Sequence, residues 1–305
     1  VADPNPEIRR KIVSTYGLPV LDDYRKLLGE SDLLYLCTPN YLHHEMALEA
    51  IALGKHVIAE KPLALDAAQA SPMVQAADRA GVRLFVAENF RYVPELARVR
   101  EVILSGEIGS PFLCLSCFIG DEYARMNNPD HWKGTKEASG GGVVIDNGPH
   151  MLDTLYYLFG EVESVFCAGG RLVIEAQNKA EDTAEITLVF KNGVVANCSL
   201  TFAARYNAFP RGYAGFGVRL DVNATEGSIH TTLREGVTVV DRNRVTRLEE
   251  GPWAESVSMD KDFIDAILGE YEPRVTGQDG LYVMRLVDAC YKSGEQARLV
   301  GLDEV

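Results

Sequence analysis

His56-Val57-Ile58-Ala59-Glu60-Lys61-Pro62 is the stretch on which the reading of the fold turns. Its Val57-Ile58-Ala59 run is short and apolar throughout, as strands buried on both faces are, and this implies a parallel sheet covered by helices. Pro62 lacks a backbone donor and biases Lys61 toward an extended conformation, so the strand stops there with the lysine amine at its carboxyl end. That is the end at which open α/β sheets bind their ligands. Outward from it, Leu33 to Cys37 and Leu84 to Ala87 read as strands of the same kind, with helices predicted over 6–16, 22–29, 41–53 and 66–80. The first helix has a defined start, with Asn5 as cap, Pro6 in the first turn and Glu7 at the positive end of the dipole.

A helix to about residue 104 follows Asn89-Phe90-Arg91-Tyr92, and then the texture changes. Strand-like runs appear at 111–119, 162–168, 183–190, 194–203, 216–223, 228–233 and 237–241, several joined by hairpin signals such as Lys191-Asn192-Gly193. A largely antiparallel sheet is the economical reading, with one face covered by a helix over 143–158 and by carboxyl-terminal helices near 260–268 and 278–292. The fold class expected is therefore α/β followed by α+β.

The chain has 305 residues, 47% hydrophobic and 24% charged, enough apolar material for two domains with cores. Thirty Lys and Arg stand against 44 Asp and Glu, a net charge of −14, which disfavours nucleic acid and anionic membranes and leaves a small molecule as the expected partner. No apolar run approaches the roughly 20 residues of a membrane span and the amino terminus has no signal-like pattern, so a soluble, cytoplasmic protein is expected. The six cysteines, at 37, 114, 117, 167, 198 and 290, read as buried thiols. Cys114 and Cys117 have CxxC spacing, but three apart on a strand they point to opposite faces, which argues against a metal or redox pair.

Within the predicted helix over 143–158, Asp146 and His150 are four apart and share a face. A carboxylate beside a histidine raises its basicity and fixes its tautomer, as a general base requires. The same pair is also compatible with an acid placed for the helix dipole and a hydrogen-bonded core histidine. No third ligand has metal-site spacing, and no metal is expected. Thr38-Pro39-Asn40 forms a strand-to-helix turn that could contact a nucleotide or simply start the helix carrying His43 and His44. Asp3, at the end of an apolar fragment, reads equally as a capping acid or as the ribose ligand of a dinucleotide fold. As a ribose ligand it would repel a 2′-phosphate and favour NAD over NADP.

Together these segments resemble the Gfo/Idh/MocA oxidoreductase family. The resemblance is carried by Val1-Ala2-Asp3, Thr38-Pro39-Asn40 with His43 or His44, Gly54-Lys55-His56-Val57 leading into Glu60-Lys61-Pro62, Asn89-Phe90-Arg91-Tyr92, Gly140-Gly141-Gly142 through Asp146 and His150, and Ala224 to Ile229. It implies an NAD(P)-binding Rossmann domain over residues 1–95 and a substrate and oligomerisation domain over 96–305. Lys61, Asp146 and His150 match the catalytic lysine, aspartate and histidine, for hydride transfer between a nicotinamide and a carbinol of a sugar, sugar acid or cyclitol. In that scheme His150 takes the hydroxyl proton, Asp146 supports the imidazolium, and Lys61 holds the oxygen.

Glu60, Pro62 and Asn89 match positions near the cofactor, as do Thr38, Pro39, Asn40 and His43. Trp132-Lys133 stands where many members have Trp-Arg, a departure that removes the planar fork of arginine. The polar and aromatic segments from Phe118 to Lys136, with Tyr123, and from Arg205 to Tyr213 are candidates for the substrate pocket. A homo-oligomer through the open sheet face is implied. The glycine-rich turn that opens the family's first domain does not occur ahead of Asp3, and on that reading weak cofactor affinity and a compromised fold are expected of an isolated chain of this length. Two other outcomes fit the resemblance: glycoside cleavage through transient oxidation, and a non-catalytic sugar-binding protein.

Overall fold

The structure, a computed structural model, describes the whole chain except residues 129–130, 175–179, 206–215, 234, 249–257 and 270. Three parallel strands, β1 (Leu33–Leu36), β2 (His56–Glu60) and β3 (Leu84–Ala87), lie side by side in that order. Their registers pair Leu36 with Ala59 and Glu60 with Ala87, so the three carboxyl ends share one edge. All four residues of β3 are buried, as a strand covered on both faces requires. The helices α1 (Pro6–Tyr16) and α2 (Arg25–Leu28) precede β1, α3 (Asn40–Ala52) joins β1 to β2, and α4 (Ala67–Ala80) joins β2 to β3. The helix expected over 22–29 is shortened at its start. Leu21 bridges to Ala2, and the Asp23 carboxylate accepts the Arg25 N–H at 3.0 Å, a local turn that competes with helix.

The rest of the chain forms α5 (Pro94–Ser105), the strand β4 (Pro111–Ile119), and the short helices α6 (Tyr123–Met126), α7 (Lys136–Ser139) and α8 (Val143–Asp146) before α9 (Gly148–Phe159). Then come β5 (Val162–Gly170), β6 (Thr183–Phe190), β7 (Val195–Thr201), β8 (Gly217–Ala224), β9 (Gly227–Thr232), β10 (Val237–Asp241) and β11 (Val245–Leu248). The helices α10 (Met259–Gly269) and α11 (Gly277–Gln296) precede the two-residue β12 (Val300–Gly301). Among the described residues the second sheet has nine strands in the order β11-β10-β9-β8-β4-β7-β6-β5-β12, and every neighbouring pair except β4–β7 runs antiparallel. Strands β11 and β12 were not expected. The first has no buried residue and the second is two residues long, so neither leaves a hydrophobic signature.

Alternation sorts the faces of this sheet. Cys114, Ser116 and Phe118 of β4, Ile186 and Leu188 of β6, and Ala196, Cys198 and Leu200 of β7 are buried on the side where α9 packs. The expectation that α10 covers this sheet is corrected. Phe263 of α10 stacks on Phe85 of β3 at 4.7 Å, and Tyr92 donates to Asp262 at 2.7 Å, so α10 lies on the first sheet. Helix α11 packs against both β3 and β5. Its Gly280 makes the approach to the first sheet possible, because a Cβ there would lie 3.0 Å from a Leu63 methyl. One further correction concerns Cys37, which is exposed, whereas the other five cysteines are buried and all six are free. Burial raises the thiols of Cys114, Cys117 and Cys198, the last pushed up to about 12, whereas the hydrogen bond to Cys290 lowers Cys167.

Buried Asp182 organises the entry to β6. Its carboxylate accepts the N–H groups of Leu172, Val173 and Ile174 at 2.7–3.1 Å and the Thr183 hydroxyl at 2.9 Å. Burial alone would raise this carboxyl, but the donors outweigh it and hold it below its ordinary 3.8. A folded value below the unfolded one means that the stabilisation is complete above about pH 4 and is lost as pH falls through and below 3.8. Asp182→Asn should cost about 1.5–3 kcal/mol at pH 7 and flatten the acid limb of the stability curve. Urea unfolding midpoints between pH 3 and 7 check this; an unchanged acid limb would count against it.

Candidate active site

The carboxyl ends of β1, β2 and β3 lead into Thr38-Pro39-Asn40, Lys61-Pro62 and Glu88-Asn89, so three candidate segments meet at one sheet edge. The Lys61–Pro62 peptide is cis. Opposite this edge stands the start of α8, built by Gly140-Gly141-Gly142. A Cβ at Gly142 would collide with the Glu181 backbone, and at Gly141 with the Tyr291 hydroxyl. The space is needed because Glu181 Oε1 accepts the N–H groups of Gly142 and Val144 at 3.0 Å each and the Tyr291 hydroxyl at 2.9 Å. The triglycine therefore binds a carboxylate of its own chain, and that contact fixes the helical turn carrying Asp146.

Asp146 holds two ammonium groups. Lys133 Nζ donates to both carboxylate oxygens, at 2.7 and 2.9 Å, while Lys61 Nζ donates to the Asp146 carbonyl at 2.7 Å and reaches Oδ1 at 3.3 Å. All three side chains are largely buried. Burial pushes the Asp146 carboxyl up, but Lys61 and then Lys133 outweigh it and hold the carboxyl well below the usual carboxylate range. In isolation any one of these charges would be poorly tolerated here, and together they satisfy one another.

Asp146 and His150 do not form the pair expected from their spacing. The predicted single helix is two, interrupted at Asn147 where Gly148-Pro149 starts α9, and the Asp146 oxygens are already held by the lysines. His150 Nδ1 instead donates to Glu88 Oε1 at 2.6 Å, with both side chains buried. Phe90 lies flat against the imidazole, 4.5 Å between centroids and 16° between planes, and Phe118 flanks it at 5.9 Å. Burial raises the Glu88 carboxyl, yet the His150 charge and hydrogen bond, the Phe90 N–H and Lys61 bring it below its ordinary value. Asp153, one turn further on, is held by Arg91 through bonds of 2.8 and 2.6 Å, and Arg91 also reaches Asp279 of α11 at 3.0 Å. It braces α9 against α11.

The other expected residues fall into three groups. Thr38 belongs to the site edge, and its hydroxyl is buried with no hydrogen-bond partner among the described residues. Pro39 precedes α3, Glu60 accepts the Tyr35 hydroxyl at 3.3 Å, and Asn89 opens a 3₁₀ turn, Asn89–Tyr92. Trp132 stacks with His131, at 6.1 Å between centroids, in the turn that delivers Lys133 to Asp146. Tyr123 starts α6 with the Arg205 guanidinium 4.2 Å over its ring.

Asn40 and His43, expected beside the cofactor, are buried and brace this edge. The Asn40 amide donates to the Ser139 carbonyl at 2.9 Å, and the His43 ring nitrogens each lie 3.0 Å from a carbonyl oxygen, of Pro62 and of Thr38. Asp3 accepts the Asn5 N–H at 2.7 Å in a turn before α1. Tyr213 lies outside the described residues. Sequence reasoning missed Glu88 and Glu181. The first had a signal: it follows an apolar strand as Glu60 does. The second had none.

Residues 1–88 match the model of an oxidoreductase family with an NAD-binding Rossmann fold, and residues 96–230 match the GFO/IDH/MocA C-terminal domain. A 1,5-anhydro-D-fructose reductase of Ensifer adhaerens is 30% identical over 84% of this chain and 76% of its own length. A myo-inositol 2-dehydrogenase of Thermotoga maritima is 29% identical over 90% and 80%. Among solved structures, the WlbA dehydrogenase from Bordetella pertussis in complex with NADH and UDP-GlcNAcA superposes with a TM-score of 0.82 at 26% identity, over 98% of this chain and 88% of that one. By sequence and by fold alike, a Rossmann-type region followed by a mixed-sheet domain, the chain belongs to the Gfo/Idh/MocA oxidoreductase family.

Proposed function

We propose that this protein is an NAD-dependent dehydrogenase acting on a carbinol of a sugar, sugar acid or cyclitol, with residues 1–95 as the cofactor half and 96–305 as the substrate half. The observation that carries the reading is the meeting of Lys61, from the end of β2, with the Asp146 and His150 segment of the other half at the carboxyl edge of a parallel sheet. The names of the relatives, a cyclitol dehydrogenase and an anhydrosugar reductase, support the substrate class. The six free cysteines suit a reducing compartment, and no described helix is long and apolar enough to cross a membrane, so a cytoplasmic enzyme is the reading we adopt.

The edge fits a nicotinamide dinucleotide. The buried Thr38 hydroxyl lacks a hydrogen-bond partner among the described residues, which suits a polar ligand laid over the end of β1. Thr38, Pro39, Glu60, Lys61, Pro62, Asn89, Trp132 and Lys133 would hold it, and Asp3 would receive the ribose hydroxyls and disfavour a 2′-phosphate. When bound, the nicotinamide supplies the hydride acceptor. In the oxidation direction the carbinol C–H pair leaves as hydride, the hydroxyl proton passes to His150 Nε2, and the C–O bond becomes a carbonyl. Lys61 holds that oxygen and offsets its developing negative charge. Asp146, with Lys133, fixes the lysine in place.

A screen of polyols and sugar acids, followed by NADH absorbance, tests the reading. Lys61→Ala and His150→Ala should each lower kcat/KM on the best substrate by about 10²–10⁴-fold. Full turnover in both variants would sink the proposed mechanism.

A homo-oligomer through the outer sheet face is part of the same proposal. That face presents Leu115 of β4, which is 44% exposed, to solvent. Light scattering should give a multiple of the 33.5 kDa chain, and Leu115→Lys should reduce it to the monomer mass. A monomeric native chain would remove this part of the proposal.

A further inference from the structure

We propose that Glu88, rather than Asp146, is the carboxylate that prepares His150 as the base: it holds Nδ1–H so that Nε2 is the nitrogen that takes the substrate proton. The proposal rests on the dehydrogenase reading and names the residue through which its base works. A carboxylate oxygen 2.6 Å from Nδ1 can only accept, so Nδ1 carries the hydrogen and, in the neutral ring, Nε2 carries the lone pair. Phe90 orients both partners. Its N–H donates to the same Glu88 Oε1 at 3.2 Å, and its ring lies flat on the imidazole.

Asp146 cannot do this work as well. Its oxygens are occupied by Lys133 and Lys61, and two ammonium groups against one carboxylate leave that cluster with a net positive charge. An imidazolium forming beside it would be opposed unless a further negative charge faced it. Glu88 is that charge, and because it is as buried as His150 its field is little screened by water. The depressed Glu88 carboxyl agrees with an acid that stays ionised at its post. Among the described residues the other charged groups facing the pair are Lys61 from β2 and Asp153 from α9, and the latter is already held by Arg91.

The test uses the full chain with Glu88→Gln, which keeps shape and removes charge, and Asp146→Asn. Histidine-selective ¹⁵N NMR follows the His150 ring without cofactor or substrate, and pH–rate profiles follow turnover. In Glu88→Gln the ring should titrate about one pH unit or more lower than in the native chain, because the imidazolium has lost its counter-charge. The acid limb of kcat/KM should move the same way, with kcat down about 10–100-fold and KM changed less than about 3-fold. Asp146→Asn should shift the ring titration less than Glu88→Gln does. An unmoved titration in Glu88→Gln, or a larger shift in Asp146→Asn, overturns the proposal. If Glu88→Gln does not fold, Glu88→Asp takes its place: retracting the carboxylate should give a smaller downward shift, and a native titration in that variant overturns the proposal. Should no carbinol yield NADH, the dehydrogenase reading fails while the NMR result still decides the pairing of Glu88 with His150.

Discussion

A carboxylate held between two ammonium groups, Asp146 between Lys61 and Lys133, is the constraint around which the rest of the site is arranged. Charges this buried are tolerated only as a set, and removing one member leaves the others uncompensated at a cost of about 3–5 kcal/mol. The members come from different places: the end of β2, the turn before α7, and the end of α8. Their mutual satisfaction therefore requires that the parallel sheet and the segment 132–146 be in register. Much of the surrounding structure serves that register. Glu181 and Tyr291 hold the first turn of α8, and the triglycine leaves them room to do so. Arg91 ties α9 to α11 through Asp153 and Asp279.

Where local pattern decides structure, the sequence was legible. The strands 111–119, 183–190 and 237–241 have the bounds expected from alternation, and the Asn5-Pro6-Glu7 start of α1 is as read, with Asn5 accepting the Glu7 N–H at 2.8 Å. The three strands of the first sheet were legible as short apolar runs, and the lysine at the end of β2 because the proline that follows it is a local fact. What escaped were choices among partners distant in sequence. Asp146 and His150 are correctly spaced for one helical face, but spacing cannot show that two lysines compete for the acid. Glu88 lies 62 residues from its histidine, and no window along the chain contains both. Helix α10 carried the amphipathic pattern of a covering helix, and that pattern does not say which sheet it covers.

The charged groups at this edge are sorted by what they must do. Arg91 with Asp153 and Asp279 is a closed ion cluster linking helices, and Glu181 is consumed by backbone and hydroxyl donors. Lys61 with Asp146 and Lys133 is a positive cluster, suited to an oxygen that gains negative charge. Glu88 with His150 is the pair that can change its proton count without losing its hydrogen bond, because Nδ1–H remains donated whether or not Nε2 is protonated. A base that gains a positive charge next to a positive cluster needs a counter-ion on its far side, and an oxyanion site needs the opposite. Placing the two carboxylates on separate partners, Asp146 on the lysines and Glu88 on the imidazole, meets both demands at once. With a single acid shared between them, each gain at the oxygen would be a loss at the base.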